Sequence, residues 1–290
     1  MPRTVDEGFR DFLPKLTPSG TESDAAKSHR ASIEARLKRD FGLRRFVRIG
    51  SYGNGTSISG YSDVDYLASL GRDTLTDNST HSLGKVRNAL ADRFPNTDVR
   101  VSCPTVVIPF GTKKSETTEV VPADYIGDQN KFCVYDIPDC QNGWMRASPD
   151  AHIAYVASVN NKLGGKVKPL IRFLKAWKFF RSVPISSFYL ELRVAKYASA
   201  EQSIIYGIDV KQVLRMLWDG QLASMQDPMG VSGYIPACKS DALKADALSK
   251  LGTAVTRAEK AVASKDSGDI ADAFEWWRLL YNNEFPTYYY

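Results

Sequence analysis

The chain has 290 residues, of which 43% are hydrophobic and 24% are charged, a composition typical of a folded globular protein. Because the sequence has neither an apolar run long enough to cross a membrane nor an N-terminal signal sequence, we expect a soluble cytoplasmic protein. The net charge of +5, from 38 basic and 33 acidic residues, is too balanced for a nucleic-acid coat protein but suits a protein that binds polyphosphates.

The first half of the chain predicts a mixed sheet with helices. Apolar residues at four-residue steps predict a helix over residues 21–41, and Gly42 is a typical stop signal. Residues 43–49 alternate in polarity and predict a strand, residues 63–70 predict a second strand, and residues 83–94 predict a helix. Three further strands are predicted at residues 98–103, 105–110 and 118–126.

The pattern changes after Pro149, where helical periods dominate and Gly or Pro signals separate the predicted elements. Six helices are predicted at residues 150–161, 169–181, 187–199, 209–224, 241–264 and 269–282. We therefore expect an α+β fold with two parts. Residues 1–148 would form a catalytic core with an N-terminal helix, and residues 149–290 would form a helical-bundle lobe.

Two aspartates follow a glycine-rich turn. Because side chains alternate between the faces of a strand, Asp63 and Asp65 are expected to point the same way. Close carboxylates raise each other's pKa unless a cation lies between them, and Mg²⁺ is the hard cation that carboxylates hold beside phosphates. Eleven residues lie between the Gly50-Ser51 pair and Asp63. This pair would supply backbone N–H and hydroxyl donors to a phosphate. We predict a site for two Mg²⁺ ions, which Mn²⁺ can replace.

The spacing of this Gly-Ser pair and Asp-Val-Asp resembles the signature of the DNA-polymerase-β-like nucleotidyltransferase superfamily. That superfamily usually adds a third acidic residue on a neighbouring strand, and Glu119 and Asp124 are both candidates. They are five residues apart and face opposite sides of a regular strand, so only one can join the site. The family pattern of an acidic residue, two apolar residues and Pro-Ala matches Glu119 and favours it over Asp124.

The second half adds a more specific resemblance. The segments LIRFLKAWK and SSFYLE resemble the helical lobe of the cGAS/DncV-like nucleotidyltransferases. The resemblance implies that Lys175 and Ser187 contact the triphosphate and that Phe188 stacks on a base. The alternatives are a solvated lysine, an N-cap serine and a core aromatic. Asn160 and Asn161 are candidates for contact with a base edge, although two asparagines before Gly-Gly also suit a turn.

This resemblance implies a metal-dependent enzyme that makes a cyclic di- or trinucleotide second messenger from NTPs and releases pyrophosphate. The diffusible product would act on a downstream effector in bacterial antiphage signalling. The alternatives are a transferase that modifies an RNA 3′ end or a small molecule, and an inactive nucleotide-binding module. We expect a monomer with no nucleic-acid activator. The four cysteines are too widely spaced from one another and from the histidines to suggest a zinc ribbon, and we expect them to be free thiols.

Overall fold

The computed structural model describes residues 2–18, 24–61, 63–111 and 116–289. Its helices are α1 (Val5–Leu16), α2 (Asp24–Phe41), α3 (Gly50–Asn54), α4 (Ser79–Arg93), α5 (Pro149–Lys162), α6 (Val167–Phe180), α7 (Ser187–Ser199), α8 (Tyr206–Asp219), α9 (Asp241–Asp266) and α10 (Ile270–Leu280). Its strands are β1 (Arg45–Arg48), β2 (Val64–Leu70), β3 (Arg100–Ser102), β4 (Thr105–Phe110), β5 (Glu116–Gln129), β6 (Phe132–Pro138), β7 (Trp144–Ala147), β8 (Met225–Gln226) and β9 (Tyr234–Ile235).

The first seven strands form one mixed sheet, organised around the long strand β5. The first part of β5 lies between β2 and β4, and its last part pairs with β6, which pairs in turn with β7. β2 and β5 are parallel, with Asp65 opposite Glu119 and Leu70 opposite Asp124. The register therefore separates the two candidate third carboxylates along one strand.

One core of the protein lies between this sheet and the helices α2 and α4. Ile33 and Leu37 from α2 and Leu83 and Leu90 from α4 are fully buried there, against β-branched residues of the central strands such as Val120. Ile33 and Leu37 are four residues apart and Leu83 and Leu90 are seven apart, so each pair lies on one face of its helix, and that face packs on the sheet.

The second core is helical and includes the N-terminal helix α1, which the sequence reasoning did not predict. Phe9 of α1 is fully buried, and its ring centroid lies 4.9 Å from that of Phe173, 5.1 Å from that of Trp277 and 5.0 Å from that of Phe285. Thr4 begins α1 with a capping box that involves Glu7. The first helix of the chain is thus packed among the last helices.

The predicted α+β class is confirmed, and the six predicted helices of the second half form within a few residues of their expected bounds. The first long helix is described only from Asp24, because the start predicted for it at residues 21–23 lies outside the described residues. The strands β6 and β7 were not predicted. No described helix combines the length and the apolar character needed to span a bilayer.

The expectation of four free thiols is wrong for two of them. Cys103 and Cys140 form a disulfide, with their Cα atoms 5.6 Å apart, whereas Cys133 and Cys238 are free. The turn before β4 and the turn after β6 are brought together by the pairing of both strands with β5. Because this proximity arises from sheet topology, the sequence separation of 37 residues did not indicate it.

The Phe9→Ala variant tests the packing of α1. Removing this buried ring should lower the free energy of unfolding by about 3 to 5 kcal/mol, because the cavity it leaves is surrounded by other aromatic rings. Urea denaturation measures the change. The control Tyr234→Ala removes a ring that is 74% exposed and should stay within about 0.5 kcal/mol of wild type. Equal effects of the two variants would contradict the assignment of α1 to the core.

Candidate active site

A cavity of about 800 Å³ lies between the sheet and the helical half. Acidic residues of the sheet line one side of it, and the ends of α6 and α7 line another. Its volume lies within the range of about 300 to 1,000 Å³ that is typical of small-molecule sites. Of the predicted site residues, the cavity lining includes Gly50, Ser51, Asp63, Asp65, Glu119, Lys175, Ser187 and Phe188.

Three carboxylates meet on the sheet side of the cavity. Asp65 lies directly opposite Glu119 in the β2–β5 register, so the two side chains share a face of the sheet. Asp63 is two residues before Asp65 and also lines the cavity. Asp124 is buried at the far end of the register, opposite Leu70 and 3.7 Å from the guanidinium of Arg72. Glu119 is therefore the candidate that the fold brings to the aspartates.

The electrostatics of these carboxylates reflect their closeness. Burial, followed by the charges of Glu119 and Asp63, raises the pKa of Asp65 to about 7. Burial also raises the pKa of Asp63, which a hydrogen bond from Thr117 partly offsets. The pKa of Glu119 is raised by burial and by Asp63, and the hydrogen bond from Thr105 opposes this shift. Burial is thus the largest cause of all three shifts, and repulsion between the carboxylates adds to it for Asp65 and Glu119.

The Gly50-Ser51 segment is the start of the short helix α3 rather than the simple turn that the sequence predicted. Gly50 has a φ of +58°, and a Cβ at this position would lie 2.1 Å from Oδ2 of Asp65. Only glycine fits here, because any side chain would collide with the carboxylate and the left-handed backbone disfavours other residues. The backbone of Gly50, at the start of α3, therefore packs directly against the carboxylate of Asp65.

The donor set fits a hard divalent cation. Asp63, Asp65 and Glu119 offer carboxylate oxygens, which are the ligands that Mg²⁺ and Mn²⁺ accept, and all three side chains line one cavity. Among the described residues, no three acidic, histidine or cysteine side chains are already arranged as a metal site. A cation would have to draw the three carboxylates together.

Lys175 is buried in an ion pair behind the acidic cluster. Its Nζ lies 2.6 Å from Oε1 of Glu191, and the two side chains are only 1% and 2% exposed. Thr56 donates to Oε1 of Glu191 at 2.5 Å, and Asn54 donates to Oε2 at 2.9 Å. Glu191 thus joins α6 and α7 to the end of α3. The sequence reasoning did not identify it, because a glutamate inside a helix gives no local signal of burial.

Lys178 lies one helical turn beyond Lys175 and was also missed. Its Nζ donates to Oγ of Ser187 at 2.8 Å. Ser186 is the N-cap of α7, with its Oγ accepting from the N–H of Tyr189 at 3.3 Å. Ser186 is therefore the serine that caps α7. Ser187 lines the cavity, where its hydroxyl contacts Lys178.

Phe188 is 39% exposed and lines the cavity, so it is not a core aromatic. Its ring packs edge-to-face against buried His152 with centroids 5.0 Å apart. Nε2 of His152 lies 3.0 Å from each carboxylate oxygen of Asp227. Burial of Asp227 opposes its ionisation, yet the hydrogen bonds from His152 and from backbone N–H groups hold its pKa well below the usual range. The orientation of His152 beside Phe188 is therefore fixed.

Asn160 and Asn161 are not among the described residues that line the cavity. They end α5, where the carbonyl of Asn160 accepts from the N–H of Gly165 and that of Asn161 accepts from the N–H of Gly164. The side chain of Asn160 accepts from the N–H of Lys168 at 3.0 Å. These contacts match the alternative in which the two asparagines form a turn.

Comparison with known proteins identifies the family of this chain. The sequence matches the family described as "Second Messenger Oligonucleotide or Dinucleotide Synthetase domain" over residues 3–160, more than half of the chain. The chain belongs to this family. The prediction of a cGAS/DncV-like nucleotidyltransferase and of its enzyme class is confirmed: the protein is a nucleotidyltransferase that synthesises oligonucleotide messengers.

Relatives and solved structures agree with this family. A probable cyclic nucleotide synthase of Bacillus cereus is 25% identical over 81% of this chain and 75% of its own length. A cyclic AMP-AMP-AMP synthase of Acinetobacter is 25% identical over 98% of this chain and 86% of its own. The structure of CdnC from Escherichia coli MS115-1 with ATP has the same fold, with a TM-score of 0.73, 16% identity and coverage of 97% of this chain and 98% of that one.

We expect Glu119→Gln to reduce the rate of product formation by about a hundredfold or more, because this carboxylate lies beside Asp65. Asp124→Asn is the matched control, since it neutralises the other acidic residue of β5, which lies beside Arg72. It should cost far less activity than Glu119→Gln, because Asp124 is not among the described residues that line the cavity. Initial rates with radiolabelled NTPs distinguish the two. The opposite ranking would assign the third carboxylate to Asp124.

The raised pKa of Asp65 predicts a pH-dependent stability of the metal-free protein. Because the folded state binds this proton more tightly, the contribution is fully present below the unfolded pKa of about 4 and is lost as pH rises through about 7. With a chelator present, Asp65→Asn should therefore gain melting temperature over wild type as pH rises from about 5 to about 8. The exposed Asp11→Asn control should show no such trend. A difference in melting temperature between Asp65→Asn and wild type that does not change with pH would contradict the raised pKa of Asp65.

Proposed function

We propose that this nucleotidyltransferase joins NTPs into a cyclic di- or trinucleotide second messenger in a reaction that depends on Mg²⁺. The observation that carries the proposal is the position of Asp63, Asp65 and Glu119 in one cavity with Lys178 and Ser187. Carboxylates on one side and a cationic, hydroxyl-bearing side on another suit a metal-bound triphosphate. The names of the two relatives, a cyclic nucleotide synthase and a cyclic AMP-AMP-AMP synthase, support a cyclic product.

In this proposal Asp63, Asp65 and Glu119 hold the cations, whose chemistry is to neutralise the phosphates and to lower the pKa of the attacking hydroxyl. Gly50 and Ser51 are the first residues of α3, and their backbone N–H groups and the Ser51 hydroxyl would donate hydrogen bonds to the phosphates. The lysine-bearing end of α6, with Lys175 and Lys178, and Ser187 bind the triphosphate of the donor, and Phe188 stacks on a base.

The reaction is an in-line displacement at the α-phosphorus. The 2′- or 3′-hydroxyl oxygen of one nucleotide forms a bond to the α-phosphorus of another, the bond to the bridging oxygen of the β-phosphate breaks, and pyrophosphate leaves. Glu119 lies next to Asp65 and faces the cavity, so it can also take part in accepting the hydroxyl proton. The last transfer joins the free hydroxyl of the linear product to its own α-phosphorus, closes the ring and releases a further pyrophosphate.

The proposal includes a monomeric, cytoplasmic enzyme whose product acts on a downstream effector in antiphage signalling. It also excludes a nucleic-acid activator. The basic segment before the glycine-rich turn supports this exclusion, because several of its arginines are engaged within the protein. Arg45 pairs with Asp150 at 2.5 Å, and Arg36 pairs with Asp40 at 2.6 Å. Charges used in this way are less available for a phosphate backbone.

The rival function is transfer of a nucleotide to an RNA 3′ end or a small molecule by the same site. The two are distinguished by whether NTPs alone are sufficient, because only a self-contained synthase gives a product without a separate acceptor. A cyclic product also resists phosphatase, since it has no terminal phosphate.

The test uses nuclease-treated protein with the four NTPs and Mg²⁺, and mass spectrometry of the phosphatase-treated products. We expect a cyclic oligonucleotide from wild type and none from Asp63→Asn or Asp65→Asn, whose circular dichroism should match wild type because the substitutions relieve repulsion. A chelator should also abolish the product. Product from a variant that carries both Asp63→Asn and Asp65→Asn would contradict the proposed site. A stimulation of about tenfold by added duplex would contradict the absence of an activator.

A further inference from the structure

We propose that the buried pair of His152 and Asp227 positions Phe188, so that the ring of Phe188 is held in place to stack on a nucleobase. The inference rests on the proposed function, in which Phe188 is the stacking residue. His152 lies near the start of α5, Phe188 is the second residue of α7, and Asp227 directly follows β8. Three separate segments of the chain therefore meet beside the cavity.

The pair is buried and closely bonded. The side chain of His152 is 5% exposed and that of Asp227 is 0% exposed, and Nε2 of His152 lies 3.0 Å from each carboxylate oxygen. A carboxylate costs free energy to bury unless it is hydrogen-bonded. The backbone N–H groups of Met229, Val231 and Ser232 donate to the same carboxylate at 2.9, 2.9 and 2.8 Å. Asp227 is thus a fixed support for His152.

The loop between β8 and β9 is wound around Asp227. The N–H of Asp227 donates to the carbonyl of Gly233 at 2.8 Å, which closes the loop on itself. The side-chain amide of Gln129, the last residue of β5, donates to the carbonyl of Gly230 at 3.4 Å and joins the loop to the sheet. The support for His152 therefore comes from backbone outside both α5 and α7.

Phe188 depends on a neighbour to hold its ring. The side chain is 39% exposed at the cavity wall, and an exposed ring can change rotamer unless other groups pack against it. His152 packs against it, with the ring centroids 5.0 Å apart and the planes at 71°. The hydrogen bonds to Asp227 keep the imidazole from turning away. A ring held in this way loses less conformational entropy when a base stacks on it.

The position of the pair at the cavity favours a role in binding over a purely structural one. His152, Phe188 and Ser232 all line the cavity, although they belong to α5, α7 and the loop after β8. A pair that served only the overall fold would affect every ligand of the cavity equally. A pair that acts through Phe188 affects the binding of a nucleoside and leaves the binding of an inorganic polyphosphate unchanged.

The experiment measures binding to the full chain with Mg²⁺ by calorimetry. The ligands are a non-hydrolysable analogue of each of the four NTPs and inorganic tripolyphosphate. His152→Leu keeps a side chain of similar size but cannot bond Asp227, whereas the amide of His152→Gln can donate to Asp227 from a similar position. Phe188→Ala, alone and combined with His152→Leu, completes a double-mutant cycle. The exposed His81→Ala of α4 is the control, and the melting temperature of every variant is measured.

We expect His152→Leu to raise the Kd for the NTP analogue that wild type binds most tightly by about fivefold to a hundredfold, the range that lost base stacking gives. The Kd for tripolyphosphate should stay unchanged. His152→Gln should recover most of the affinity. The double variant should lose no more than Phe188→Ala alone, because His152 acts through Phe188. In the reaction, the KM for NTP should rise with little change in kcat. His81→Ala should match wild type.

Three results would overturn the inference: wild-type affinity for the NTP analogue in His152→Leu, equal losses for the analogue and tripolyphosphate, or additive losses in the double variant. If His152→Leu does not fold, Asp227→Asn gives the same comparison, because it keeps the side-chain volume and removes the charge that His152 binds. These failures differ from a failure of the proposed function. In that case the wild type binds no NTP analogue and makes no cyclic product, and the inference falls with it.

Discussion

Repulsion between carboxylates held on neighbouring strands is the constraint on which the active site depends. The parallel register of β2 and β5 places Asp65 beside Glu119, and Asp63 adds a third charge. Burial raises the pKa of all three carboxylates, and repulsion from the neighbouring carboxylates adds to this for Asp65 and Glu119. We expect such an arrangement to lower the stability of the metal-free protein near neutral pH and to favour the binding of divalent cations. The closeness and burial of the carboxylates would thus account both for the lower stability of the metal-free protein and for the expected binding of cations.

Charge in the helical half is arranged in the opposite way. Glu191 neutralises Lys175 and binds the end of α3, so the segment that touches Asp65 is anchored to α6 and α7. The candidate site therefore combines a buried polar junction around Glu191 with carboxylates on the sheet side and the ammonium group of Lys178 at the end of α6. In the proposed function, a metal-bound nucleotide would contact both the carboxylates and Lys178.

The sequence predicted what local spacing determines. Alternation and the Gly-Ser signal located Asp63, Asp65 and the strands that carry them, and apolar periods located the six helices of the second half. It did not predict contacts that arise from topology: the packing of α1 among the last helices, the pairing of Cys103 with Cys140, and the burial of Glu191. Local pattern also could not distinguish Lys175 from Lys178, since both follow the same helical period. Their partners lie on the neighbouring helix: Glu191 pairs with Lys175, and Ser187 accepts a hydrogen bond from Lys178.

The most direct test of the central claim is the position of the metal. A crystal of this protein with Mn²⁺ and a non-hydrolysable ATP analogue should give anomalous scattering peaks within coordination distance of carboxylate oxygens of Asp63, Asp65 and Glu119, about 2.0 to 2.3 Å. The triphosphate should extend from these ions towards the ends of α6 and α7. Manganese bound away from these three carboxylates, with the nucleotide ordered in the cavity, would contradict the account.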